Sequence, residues 1–87
     1  GGAIAVRWAP ELPLNDAFLQ DFLQAFGRKK ASAATIAGRP VFQLDNARDQ
    51  GVGAVIWASD AEAILVWSQY GLKATRAIAK SMGTKGS

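Results

Sequence analysis

The chain contains no cysteine and no histidine. Without cysteine there are no disulfides and no thiol chemistry, and without either residue the usual zinc clusters cannot be built. An active site would have to rest on Asp, Glu, Lys, Ser or Tyr70, and the seven acids are scattered. Asp45 and Asp49 share a polar loop, with too few oxygen ligands around them for a hard cation. Asp60 and Glu62 suit the start of a helix, where carboxylates are stabilising without any chemistry. The chain is therefore read as a non-enzyme with no cofactor, no metal site and no small-molecule substrate. No apolar run approaches the roughly 20 residues needed to span a bilayer, and no signal peptide is visible. No membrane partner is expected, although lack of cysteine does not itself fix a compartment.

What is present is enough for one core. Of the 87 residues, 49% are apolar and 20% charged, which predicts a packed domain rather than disorder. Residues 3–82 form that domain, and 1–2 with 83–87 read as flexible ends or vector remnants. The net charge of +3 suits nucleic acid without demanding it. Its placement is more telling. Arg28, Lys29 and Lys30 form one cluster, whereas Lys73, Arg76, Lys80 and Lys85 line a final segment that holds no acid.

Ile4-Ala5-Val6-Arg7-Trp8 alternates with period two, so Ile4, Val6 and Trp8 share one face of a strand. Pro10 and Pro13 end it. Asn15 or Asp16 can cap a helix in which Phe18, Leu19, Phe22, Leu23 and Phe26 recur at helical spacing. Gly27 is expected to close that helix in the left-handed conformation. Residues 33–37 and 41–44 are strand candidates, either as a hairpin or as one bent strand. Val52 to Trp57 is apolar on both faces and predicts a central strand.

After Trp57 two readings compete. Ser59-x-x-Glu62 fits a capping box, which would start a helix running to about Tyr70 before a final strand. Alternatively, Ser59-Asp60 is a turn, residues 63–67 are a strand, and 72–82 become the last helix. Ile64-Leu65-Val66-Trp67 has strand composition, and 74–79 is helix-friendly.

Leu19-x-x-Phe22-Leu23-x-x-Phe26-Gly27 and the run Gln50 to Trp57 resemble the RNA recognition motif. In the first, the leucine, aromatic and glycine spacing is that of the family's first helix. In the second, Gly51, Gly53, Val55 and Trp57 match an octapeptide signature, and Ile4 with Val6 fits the hexapeptide of the first strand. The resemblance implies an α+β, ferredoxin-like fold, strand-helix-strand-strand-helix-strand. Four antiparallel strands would carry two helices on one face, and single-stranded RNA would bind the other. The departures are equally clear. The family's stacking aromatics are replaced by Ala5, Val52 and Ala54, and the basic residue opening the octapeptide by Gln50. The segment between Gly27 and Gly51 is also longer than usual.

A sheet of Ala5, Arg7, Val52, Ala54 and Ile56 lacks the stacking that contributes about 1–3 kcal/mol per base. Binding would fall to Arg7, Trp8, Arg28, Lys29, Lys30, Arg48, Lys73 and Arg76, around Val52 and Ala54. Phosphate contacts of this kind are salt-sensitive and read little sequence. Each has a plainer reading: the basic clusters as solvated surface, and Trp8, Trp57 and Trp67 as core. Gly51-x-Gly53 is a close-packed strand entry rather than a phosphate loop, since no helix follows at once and no Gly-Lys-Ser/Thr appears. The function implied is weak RNA binding or contact with a protein partner, in an intracellular, nuclear or cytoplasmic setting. The alternative is a small α+β interaction domain of a secreted or membrane-tethered bacterial protein. There, a hairpin of 52–59 with 63–68 would pack against a last helix, 72–82.

Overall fold

Alternating and β-branched stretches supply five strands, and the two periodic stretches supply two helices. In chain order these are β1 (Ala3–Trp8), α1 (Asp16–Gly27), β2 (Ser32–Ile36), β3 (Arg39–Ala47), β4 (Val52–Ser59), β5 (Glu62–Ser68) and α2 (Leu72–Lys85). The computed structural model describes residues 3–11, 14–59 and 61–85. The expectations placed on Pro13 and Asp60, and on residues 1–2 and 86–87, lie outside them, whereas 83–85 continue α2.

β2 to β5 form a meander, and β1 returns to pair with β5, giving the order β1-β5-β4-β3-β2 with every neighbour antiparallel. The β2–β3 alternative resolves as a hairpin turning through Ala37 and Gly38, whose φ values of 51° and 79° match the twist-compatible turn with two left-handed residues. α1 carries the chain from one edge of the sheet to the other.

Two cores result. Leu19 and Leu23 of α1 join Leu44, Ala54, Ile56, Ala63 and Leu65, whereas Ala79 of α2 joins Val41, Val55, Trp57, Ile64 and Val66. Successive residues of β4 and β5 therefore serve opposite cores, with one helix on each face of the sheet. This corrects the expected four-stranded sheet with both helices on one face. The cause lies in β4 and β5, which are apolar on both faces and need cover on both.

The helix expected from Ser59 to Tyr70 is also corrected. Ser59 of β4 and Glu62 of β5 are cross-strand partners, so the capping-box spacing is met by paired antiparallel strands instead. β-branched Ile64 and Val66 fill one core while Ala63 and Leu65 fill the other. Strand then helix, as in the second reading, is the observed order.

At α1, Asn15 is the cap, its side chain accepting from the Phe18 amide at 2.9 Å. Gly27 is the last helical residue, and the left-handed position falls on Arg28 with φ 54°. Gly27 packs closely on β3: a Cβ there would lie 2.6 Å from Leu44 Cδ2, which would have to shift. Gly53 plays the same part for α2. A Cβ on it would collide with the Gly71–Leu72 backbone, so the helix start rests directly on β4. Thr75 fastens this contact, its hydroxyl donating to the Gly53 carbonyl at 2.9 Å and lying 3.0 Å from Ser68 Oγ.

Candidate functional site

The residues expected to form one RNA-binding face do not share one. Ala54 and Ile4 both lie beside Trp67, on the α1 side of the sheet. Arg7 lies beside Ile64, which neighbours Trp57, on the α2 side. Ala54 is fully buried beneath α1, and Val52 is half-buried at the edge of the same core. The open platform assumed for Ala5, Arg7, Val52 and Ala54 is thus split between two faces, because β1 enters the sheet beside β5.

The basic residues divide in the same way. Arg28, Lys29 and Lys30 are exposed where α1 ends. The turn from β3 to β4 comes up beside them, with the Arg48 amide donating to the Gly27 carbonyl at 2.7 Å. Lys29 lies 3.9 Å from Asp49, and Arg7 lies 3.7 Å from Glu62; exposed pairs like these contribute little to stability. Lys73 is exposed on α2, whereas Arg76 is turned back to the sheet, bonding Gln43 and donating to the Thr35 carbonyl at 2.9 Å. Arg76 is a clamp between α2 and the β2–β3 hairpin, not an extended cation. Trp57 is core on the α2 side, with Arg39 over its ring at 5.9 Å.

A different surface emerges on the α1 side. α1 lies over β3 and β4, leaving the β1 side of that face uncovered. Ile4 is 52% exposed, Val6 40% and Phe22 38%, although all three are large and apolar. Aromatic contacts continue the strip: Trp8 meets Phe22 with centroids 4.9 Å apart, and Trp67 meets Phe26 at 5.2 Å. The outer edge of β1 faces no strand among the described residues. Alternation in β1 is the visible signal that groups Ile4 and Val6, but it does not say whether their face is covered. Only the position of α1, two strands away, leaves it open.

The strip leads to a cleft of about 260 Å³ walled by Phe26, Val52 and Trp67, with Arg48, Gln50 and Gln69 around it. Arg48 is held by its Nε donating to the Phe26 carbonyl at 2.7 Å, with its guanidinium 5.8 Å from the Phe26 ring centroid. The turn that presents it is unusual. Asn46, Arg48 and Asp49 all have φ between 53° and 56°, a region that non-glycine residues enter at some cost. Asn46 stabilises the turn by accepting from the Gly51 amide at 2.8 Å. Composition gave no hint of this cleft, since its polar rim comes from a turn and a strand end far apart in sequence.

No group of three or more acidic residues able to hold a metal ion occurs among the described residues. Among the described residues, no helix is long and apolar enough to cross a membrane. Comparison of the chain with family models, with curated proteins and with solved structures found no match.

Proposed function

We propose that this domain is a non-enzymatic protein-interaction module that takes up an extended polypeptide segment along β1. The observation carrying this reading is the exposure of Ile4 and Val6 beside an edge that pairs with no strand among the described residues. An added strand gains main-chain hydrogen bonds from such an edge, and alternate side chains of the incoming segment are covered by the apolar strip. The two edges differ in a way that favours β1. The exposed side chains of β2 are the small Ser32, Ala33 and Thr35, which offer an incoming segment less apolar cover than Ile4 and Val6. β1 contains no proline and a single charge, Arg7, which is near Glu62.

A titration of backbone amide shifts with an alternating apolar hexapeptide tests this. Shifts along residues 3–8 are expected, and their absence at millimolar peptide would count against the module. Self-pairing of two copies would appear as concentration-dependent shifts of the same residues without peptide.

The second reading is weak binding of single-stranded RNA in an intracellular setting, as the resemblance to the RNA recognition motif implies. It draws on Arg28, Lys29, Lys30 and Arg48, gathered at the end where α1 closes. Binding there would lose affinity as salt rises, because phosphate contacts release counterions. An apolar segment on β1 would be nearly insensitive to salt.

A further inference from the structure

We propose that the cleft beside Trp67 is the specificity pocket of this module, receiving an apolar C-terminal residue together with its free carboxylate. The inference rests on the strand-docking reading and adds the chemistry that selects the partner.

Size is the first argument. About 260 Å³ falls just below the range of roughly 300–1,000 Å³ typical of small-molecule sites, which suits one side chain better than a nucleotide. The lining is the second. Phe26, Val52 and Trp67 give an apolar wall, and Arg48 is the only formally charged residue among those lining the cleft. The nearest acid in the turn, Asp49, is directed to Lys29 at 3.9 Å. An apolar ligand of negative charge complements that set.

Arg48 is also prepared for an anion. Its Nε is occupied by the Phe26 carbonyl, which fixes the guanidinium plane, while its two terminal nitrogens have no partner among the described residues. A planar fork held in this way matches the two oxygens of a carboxylate. The side-chain amides of Gln50 and Gln69 lie on the same rim and can donate to the same group or to the last peptide unit. Three left-handed residues that are not glycine, Asn46, Arg48 and Asp49, shape the turn that presents this arrangement.

Direction is the third argument. The cleft lies at the end of the sheet where β1 begins, since Ile4 is the partner of Trp67 and Ala3 of Ser68. A segment pairing antiparallel to β1 therefore finishes at that end, and its last residue can turn over Ile4 onto Trp67. A free C-terminus, rather than an internal acid, is the carboxylate such a path delivers.

The test uses the whole chain and three probes: an alternating apolar hexapeptide ending in phenylalanine with a free carboxylate, its C-terminal amide, and N-acetyl-phenylalanine, which reaches the cleft alone. Shifts are followed at the Trp67 indole, the Gln50 and Gln69 side-chain amides, and residues 3–8. The free acid is expected to bind about tenfold more tightly than the amide, the increment of one charged hydrogen-bonded pair. Arg48→Gln is expected to remove that preference while leaving the peptide on β1, and Arg48→Lys to restore it in part. Equal affinity of acid and amide, or shifts on β1 that bypass the cleft, overturns the pocket and leaves the strand reading standing. Shifts at the cleft with N-acetyl-phenylalanine but none on β1 with either peptide support the carboxylate pocket and overturn strand docking. No shift with any probe at millimolar concentration overturns both.

Discussion

The two faces of the sheet are covered by helices of similar length, yet one is sealed and the other is not. On the α2 side, the helix contacts β2, β3, β4 and β5, sits directly on Gly53, and is locked by buried Thr75. On the α1 side, the helix lies chiefly over β3 and β4 and meets the outer strand through Trp8 and Phe22. A sheet face stays open where its helix spans fewer strands, here chiefly β3 and β4 under α1 against β2 to β5 under α2. α1 packs through Leu19, Leu23 and Phe18, and α2 through Ala79 and Thr75 with Leu72, Ile78 and Met82 around them. The uncovered strip on the α1 side is where the proposed binding surface lies.

That contrast predicts a graded series of substitutions. The largest loss is expected for Trp57→Ala, which empties the sealed core and should lower stability by about 3–5 kcal/mol in urea denaturation. A smaller change would mean that the α2 face tolerates a cavity and is not sealed. Gly53→Ala forces α2 off β4 and should lower stability by about 1–3 kcal/mol. Full stability for this variant would show that the close approach is not tight. Asn15→Ala removes the cap of α1 and is expected to lower stability by about 1 kcal/mol, on the open side and without touching the sheet.

The smallest effect on stability is expected for Ile4→Ser combined with Val6→Ser, within about 0.5 kcal/mol for each exposed position. The same pair should abolish peptide shifts along β1. Retained peptide binding would break the contrast drawn between the faces, whereas lost stability would place Ile4 and Val6 in the core after all.

Much of the fold was legible in residue pattern. A cap at Asn15 or Asp16, the apolar stripe of α1 and the central position of β4 follow from spacing and β-branching alone, and the fold selects Asn15. What followed Trp57 was open because Ser59-x-x-Glu62 satisfies a helix start and a hairpin equally well. The β-branched run of β5, buried on both faces, decided it. The assignment of faces failed for a non-local reason. Period two places Ile4, Val6 and Trp8 together, but cannot say which strand β1 will join or where α1 will lie. Arg7 and Ala54 therefore shared a face in expectation and are on opposite faces in the fold. The cleft was illegible because its parts, Phe26, Arg48 and Trp67, meet only after three elements pack.

The route of the chain into β1 has a kinetic consequence. β2, β3, β4 and β5 are consecutive hairpins, whose pairing closes short loops, whereas Ala3 must find Ser68 almost a whole chain away. Contacts of such sequence separation are costly to close and tend to form late. The meander with α2 is thus expected to assemble first, and β1 to be the last strand in and the first to exchange its amide hydrogens. While β1 is out, the edge of β5 is itself bare, so a nascent or stressed molecule offers a second, more hydrophobic place for a foreign strand to enter.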